Sequence, residues 1–393
     1  MSLQSSIIQN LLQAPMSLAD IQQFSNASLP TVRRAVQILT ESQWINVTGQ
    51  AEANGGRPAM LFGINESYYM IFGLQLQLPG IQLVAFSLSG QVLKRVKLYQ
   101  GIIPEPSAVI RAVVDSINEI MPVFPDRQAI GLGIAAPGYI DLNTGDIIAI
   151  GRVPSWKNFS ICKHLTEATG LPVQIANDVD CMAIAELNND TERFNKNMIY
   201  LGFCEGVKVS FLLKGEILKS SIGNIGLIDP DLLNLGYLND SDDIHHLLTS
   251  NGFNHIFEHR LKQLKPSAQK SYQSIIDLSS ENEMFNAILL KAVEKDEICY
   301  PLVKDMYHTL SIALANFIHI LQPDEVIIGG LLSSLPKSLF HEFESNLRKQ
   351  IPPLTRNHLL VRQALMESKH VAAKGAIQYF LHSKLESVLQ DIL

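Results

Sequence analysis

Ala27-Ser-Leu-Pro-Thr-Val-Arg-Arg-Ala-Val-Gln-Ile-Leu39, followed by Trp44-Ile-Asn-Val47 and by Gly55-Gly-Arg-Pro58, has the pattern of a DNA-recognition helix running into a wing. At about 100° per residue, Leu29, Val32, Val36 and Leu39 share one arc that can pack on neighbouring helices. The opposite arc carries Pro30, Thr31, Arg34 and Gln37, with Arg33 on its flank. Small polar and cationic side chains on the outward face of a short helix are what a major groove and its phosphate walls accept. Ser28, Thr31, Arg33, Arg34 and Gln37 are therefore the DNA-contact candidates, Arg34 first among them. Arg57, on a glycine-rich strand that can approach a duplex closely, is the candidate for the adjacent minor groove. Gly55 and Gly56 fit a flexible linker as well as a wing tip.

The two helices that such a motif needs precede it. Leu3, Ile7, Ile8, Leu11 and Leu12 recur at helical spacing, and Ser17-Leu-Ala-Asp20 opens a second short helix whose exposed amides Ser17 can cap. Pro15 separates the two. Helical spacing alone also fits any three-helix subdomain with two surface arginines. Charge does not decide, because residues 1–64 hold Arg33, Arg34 and Arg57 against Asp20, Glu41 and Glu52. Non-specific DNA affinity, which grows with the phosphates neutralised, is expected to be modest.

Composition places the remainder. The 393 residues are 47% hydrophobic and only 18% charged, enough for two or three domains with substantial cores. A net charge of -7 argues against a protein that coats nucleic acid or anionic membrane, while leaving room for a local DNA-reading surface. No apolar run reaches membrane-spanning length and no basic segment leads into an apolar core at the N-terminus, so a cytoplasmic address is expected. Cys162, Cys181, Cys204 and Cys299 are too scattered for metal knuckles and read as reduced, mostly core thiols.

From Tyr68 onward strands and helices alternate. Tyr69 to Leu76, Ile81 to Leu88 and Val92 to Tyr99 read as three strands joined by the turns Pro79-Gly80 and Ser89-Gly90. Helix Pro106 to Met121, strand Ala129 to Ala135, helix Ile161 to Thr169, strand Val173 to Ala176 and helix Val179 to Asn189 follow. The order restarts with strands at Met198 to Phe203 and Val207 to Leu213, which predicts two similar lobes. After Asp240 the chain is largely helical to Leu321, with one more buried strand at Glu325 to Ile328 and a last helix from His370 to Leu381. The expected fold is α/β: a winged helix-turn-helix over residues 1–65, then a two-lobed actin-like (ribonuclease H-like) domain with a cleft between its lobes. The first lobe spans 66–190. The second spans 191–393, with a helical insertion and a C-terminal helix that returns to the first lobe.

At this point the chain resembles the ROK family of repressors, open reading frames and kinases, in its subgroup with an N-terminal winged helix. The residues that carry the resemblance are the recognition helix with Gly55-Gly-Arg-Pro58, Gly131-Leu-Gly-Ile-Ala-Ala-Pro-Gly-Tyr-Ile-Asp141, and Gly170-Leu-Pro-Val-Gln-Ile-Ala-Asn-Asp178 with Ala183 to Glu186 after it. Pro323-Asp-Glu-Val-Ile-Ile-Gly-Gly330 and Ala372-Ala-Lys-Gly-Ala376 complete it. The resemblance implies a sugar pocket in which Asn177 and Asp178, at a strand end before a helix, contact the ligand. It also implies Pro137 and Gly138 in a tight loop over the sugar, Arg152 and Trp156 where relatives place an Asn followed by a Trp, and Asn224 in place of a glutamate. Asp178 also reads as the cap of its helix, a role compatible with ligand contact, Trp156 as a core residue and Arg152 as solvent-facing. An acid lost at Asn224 and a cation gained at Arg152 favour a phosphosugar or sugar acid.

Departures from the family pattern separate sensor from enzyme. Kinases of the family open the first hairpin with an Asp and a glycine-rich turn that position magnesium and phosphate; here Gln75, Leu76, Gln77, Leu78 and Pro79 stand there. Pro79 lacks an amide donor and Gln75 lacks the charge. The second phosphate turn resembles Gly202-Phe-Cys-Glu-Gly-Val-Lys208, where Glu205 would repel a triphosphate. The family zinc site lacks its His, since Leu227 occupies that place, and His245 with His246 is no substitute for four ligands. No cofactor, no metal and no catalysis are expected. The expected partners are a double-stranded DNA operator, a sugar or sugar-phosphate effector, and a second copy in a homodimer or a dimer of dimers, with contacts from the helical stretch Ser241 to Leu321, apolar over Ile312 to Leu321. No membrane partner is expected. A sugar kinase that kept a DNA-binding domain and a ligand-independent regulator are the alternatives.

Overall fold

The structure, a computed structural model, describes residues 2–52, 58–77, 80–101, 104–151, 153–187, 195–204, 206–219, 226, 249–365 and 370–393. These form two compact units, one holding the described residues up to Leu187 together with the C-terminal helix, the other the described residues from Asn195 to Leu365.

The first unit opens with α1 (Leu3–Leu11), α2 (Leu18–Ser25) and α3 (Leu29–Glu41), then the antiparallel pair β1 (Ile45–Gln50) and β2 (Met60–Ile64). Each helix starts where a short hydroxyl side chain can take an orphan amide. Ser2, Ser17 and Ser28 are the three N-caps, and Ser17 forms a capping box with Asp20. The amide and the hydroxyl of Ser17 both donate to the Asp20 carboxylate, which holds that group below the usual carboxylate range. Asn26 ends α2 in the left-handed region (φ 52°), so the chain turns into α3 within three residues.

The first lobe follows: β3 (Tyr69–Gln77), β4 (Gly80–Ser87), β5 (Val92–Gln100), α4 (Pro106–Ile120), β6 (Gln128–Ala136), the small hairpin β7 (Tyr139–Asp141) and β8 (Asp146–Ala149), α5 (Ile161–Thr169), β9 (Val173–Asn177) and α6 (Asp178–Leu187). Its main sheet has the order β5-β4-β3-β6-β9, an antiparallel meander continued by two parallel strands.

The second unit repeats that plan. It contains β10 (Met198–Phe203), β11 (Val207–Leu213), β12 (Glu216–Ile217), α7 (Ser250–Lys262), the single turns α8 (Pro266–Gln269) and α9 (Gln273–Ile276), α10 (Glu281–Val293), α11 (Cys299–Leu321), β13 (Glu325–Gly330), α12 (Lys337–Lys349), α13 (Pro353–His358) and β14 (Leu360–Gln363). Its sheet order, β12-β11-β10-β13-β14, is the order of the first sheet strand for strand, with the same parallel and antiparallel pairings. The duplication expected from the hydropathy pattern is therefore present in the topology. The elements that the pattern missed are short or edge-bound. β14 is a four-residue edge strand with only Val361 fully buried, and β7 and β8 are three and four residues long. α12 is an exception: it buries Leu339, Phe340, Phe343 and Leu347 at helical spacing, a pattern that the sequence displays plainly.

The run Ile312 to Leu321 lies in α11, and Ala313, Leu314, Ala315 and Ile318 go into the unit's own core. Its apolar character is thus accounted for within the unit, except at Ile320, which is 75% exposed.

α14 (Val371–Ile392) closes the first unit and continues well past Leu381, where the sequence pattern ends its helix. It lies across β3 and β6 on a floor without side chains: a Cβ on Gly73 would stand 2.7 Å from the Ala373 carbonyl oxygen, one on Gly133 2.4 Å from that of Ala376, and one on Gly131 2.1 Å from the Phe380 ring. One apolar cluster runs from Ile7, Ile8 and Leu11 of α1 through Tyr69 and Ile71 of β3 to Phe380, Leu385 and Leu389 of α14. The three-helix head and the first lobe consequently share a core rather than a tether.

Candidate functional site

The head presents the first set of candidates. Val32, Ala35, Val36 and Leu39 of α3 are buried, which turns Thr31, Arg33, Arg34 and Gln37 to the outside. Ser28 is exposed too, but it is engaged as the N-cap: its Oγ accepts from the Thr31 amide at 3.4 Å and lies 2.7 Å from Thr31 Oγ1. Gln37 donates to Glu41 at 2.8 Å. Among the described residues no carboxylate pairs with Arg33 or Arg34, so two full cationic charges stand on the outer face of a capped helix. Such a face suits phosphate and guanine edges alike. Arg57, Gly55 and Gly56 lie outside the described residues; the hairpin strands that lead to them are β1 and β2. Asn26, which sets the turn between α2 and α3, escapes a reading by hydropathy, although an Asn ahead of a Ser cap is a recognisable left-handed stop.

The second set meets at the C-terminal end of β9. Asn177 and Asp178 are 3% and 5% exposed, and each offers its Oδ1 to the Val179 amide, at 3.0 and 2.9 Å. Both residues therefore cap the start of α6, with two carbonyl-type oxygens on one amide. The other end of the Asn177 amide donates to the Gly138 carbonyl oxygen at 3.3 Å. This ties strand end, helix start and the Pro137-Gly138 loop after β6 into one construction. Gly138 has φ 84°, and a Cβ there would stand 2.2 Å from the Ala149 carbonyl oxygen, so only glycine lets the loop close onto β8. An α/β sheet holds ligands at the carboxyl ends of its parallel strands, where β6 and β9 both end here.

Other expectations for this pocket part ways. Arg152 and Asn224 lie outside the described residues. Trp156 takes the core reading of the two that its sequence left open: it is fully buried, its indole N–H donates to the Pro104 carbonyl oxygen at 2.8 Å, and its ring meets Phe159 edge to face. A ring with its donor used and its surface covered serves the core of the lobe, not a sugar face.

Gln75 is buried in β3, directly opposite Gln82 of β4 and beside Ala135 of β6. An uncharged amide thus stands at the position that the resemblance pairs with an Asp. Leu78, Pro79 and Glu205 lie outside the described residues, and Lys208 is 5% exposed in β11, opposite Gly202. His245, His246 and Leu227 are outside as well; among the described residues no group of three His, Cys, Asp or Glu side chains is placed to hold a metal ion. Cys162, Cys181 and Cys299 are buried free thiols and Cys204 is half-buried; burial pushes the Cys162 thiol up to about 12. Among the described residues no helix is long and apolar enough to cross a membrane.

Residues 74–230 match the ROK family. A putative xylose repressor of Caldicellulosiruptor sp. (strain Rt8B.4) is 19% identical over 360 residues, covering 90% of this chain and 89% of that protein. Among solved structures, a ROK family transcriptional regulator, a homologue of the E. coli MLC protein, superposes with a TM-score of 0.80 at 19% identity, over 99% of this chain and 98% of that one. A ROK family glucokinase from Streptomyces griseus, in complex with glucose and AMPPNP, gives 0.61 at 15% identity over 79% of this chain and 98% of its own. The regulator is matched from end to end, including the three-helix head, whereas the kinase leaves about a fifth of this chain unmatched. With two lobes of one topology, the chain carries over residues 74–230 a segment that matches the ROK family and includes the Asn177-Asp178 strand end.

Proposed function

We propose that this protein is a DNA-binding transcriptional regulator, acting as a repressor of carbohydrate genes and controlled by a sugar or sugar derivative held at the Pro137-Gly138 and Asn177-Asp178 corner. The observation that carries this reading is the pair Arg33 and Arg34, which meet no carboxylate among the described residues, on a capped helix whose domain shares its core with the lobe that carries the corner. Repressor names among the relatives point the same way. Two copies in a homodimer would set two α3 helices in successive major grooves of a double-stranded operator. ATP turnover is not part of the reading, because the buried Gln75 supplies no charge to draw a metal-bound phosphate.

The first unit supplies a path between the two sites. Asp178 opens α6, and α6 lies so close to α14 that a Cβ on Gly375 would stand 1.7 Å from the Cys181 carbonyl oxygen. Farther along α14, Glu386 accepts from the Ser2 amide at the start of α1, at 2.9 Å. Eleven helical residues, about 16 Å at 1.5 Å each, join these two contacts. An effector that shifts α6 would carry α14 and the head with it, provided that it binds the two arrangements with different affinity.

The test is a binding site selected from genomic fragments and a titration of that duplex by fluorescence anisotropy. Arg34→Ala is expected to weaken binding by about 1–3 kcal/mol, roughly 5- to 150-fold. If Arg34 reads a base, discrimination at one position of the site relaxes; if it holds a phosphate, the dependence of log K on log salt falls by about 1. Native affinity in both Arg33→Ala and Arg34→Ala would remove the face on which the proposal stands.

A further inference from the structure

We propose that Arg95 of β5, with His370 and Lys374 at the start of α14, forms a binding site for a phosphate-type oxyanion. The three side chains come together from two elements that are far apart in sequence. Lys374 lies along the turn after β4, with its Cε only 3.0 Å from the place a Cβ on Gly90 would take. The His370 ring packs toward Phe86 of β4 at 6.0 Å between centroids, and Arg95 is the register partner of Val84 on the same strand. All three are half-buried.

Nothing in the described residues neutralises them. The protein carries 38 Asp and Glu side chains against 31 Lys and Arg, yet among the described residues no carboxylate forms an ion pair with Arg95, His370 or Lys374. In an acidic chain, a guanidinium and an ammonium beside an imidazole, without an acid, are a repulsive arrangement that partial burial makes worse. The positive end of the α14 dipole adds to the repulsion. Burial, followed by the nearby charges of Arg95 and Lys374, holds His370 below the ordinary imidazole range, and burial does the same for the Lys374 ammonium. A bound dianion would turn the mutual repulsion into attraction and favour the charged form of each group. A guanidinium, an ammonium and an imidazolium are the donors that tetrahedral oxyanions take.

The same chemistry could come from a free phosphate or from a backbone phosphate of bound DNA, and two measurements on the full chain separate them. The first is the melting temperature in sodium phosphate against sodium chloride at matched ionic strength. A free-oxyanion site predicts a rise of a few degrees in phosphate, abolished in the double variant Arg95→Met/Lys374→Met, which itself melts higher than the native chain in chloride. The second is the salt dependence of binding to random-sequence duplex. A backbone-phosphate site predicts no gain from inorganic phosphate, but a salt slope that is shallower in the variant by about 1 for each DNA phosphate it no longer neutralises. A readout that needs no variant is the His370 imidazole pKa by NMR, which is expected to rise on addition of inorganic phosphate in the first case and of duplex in the second. Equal melting in the two salts, an unchanged salt slope and a His370 titration indifferent to both additions would overturn the proposal. Because neither the phosphate shift nor the imidazole titration depends on an operator or a sugar, they stand apart from the regulator reading.

Discussion

Alanine at Gly375 is expected to destabilise the first unit by about 2 kcal/mol, against the direction that helix propensity alone would give. Gly375 lies inside α14, where exchanging glycine for alanine ordinarily gains about 1 kcal/mol. Here the new methyl would be placed 1.7 Å from the Cys181 carbonyl oxygen and 2.4 Å from its carbon, both backbone atoms of α6 that no side-chain rotation can clear. Overpacking of this kind costs about 1–3 kcal/mol and occasionally more, and so close an approach belongs at the upper end. Gly49 of β1 is the matched control, since no heavy atom lies within 4 Å of a Cβ built there. Urea denaturation of both variants reads the difference. A stabilised Gly375→Ala would mean that α6 and α14 are not in backbone contact, and the path from ligand corner to reader head would lose its first link.

The largest loss is expected from Trp44→Ala, about 3–5 kcal/mol, as for other fully buried large aromatics. Trp44 is 0% exposed at the entrance to β1 and stacks on Tyr69 of β3 with centroids 4.4 Å apart. Tyr69 in turn donates to the Ser42 carbonyl oxygen at 2.9 Å, at the end of α3. These two rings join head to lobe, so the truncation should not only lower the midpoint of unfolding but also raise amide exchange in α1, α2 and α3 above that in β6 and β9. Trp44→Phe should cost much less, because the indole N–H finds no acceptor among the described residues and its loss strands no partner. Uniform loss of protection throughout the unit would instead show that head and lobe unfold as one piece irrespective of this contact.

Where sequence patterns are repeated over many residues, they carried the fold. The apolar stretches within Tyr69 to Tyr99 and their echo at Met198 to Leu213 pointed to both meanders, because most side chains of a strand buried on both faces are apolar. Ser17 gave a helix start since its hydroxyl meets an orphan amide locally, whereas the same role of Ser28 appears only in the structure. What stayed hidden depends on partners distant in sequence. Trp156 reads as a core residue or as a stacking platform until Pro104 and Phe159 are seen to use it. Gly131 and Gly133 read as part of a strand, but nothing nearby in sequence shows that they leave room for Phe380 and Ala376, some 250 residues away. The cations Arg95, His370 and Lys374 could not be grouped at all before α14 was laid on the sheet. The ligand corner was half legible: the strand-end position of Asn177 and Asp178 follows from the β9-α6 junction, but the bond from Asn177 to the Gly138 loop does not.

The measurement that bears most directly on the central claim, that a sugar at the end of β9 alters how the head holds DNA, is an operator titration with and without ligand. Labelled duplex would be titrated with the full chain in the presence of hexoses, pentoses, sugar acids and sugar phosphates in turn. One of these is expected to change operator affinity by about tenfold, a coupling of about 1.4 kcal/mol, and to lose its effect in Asp178→Asn while ligand-free affinity stays native, since Asn still caps α6. Operator affinity indifferent to every sugar, or ATP consumed when a sugar is supplied, would contradict the account.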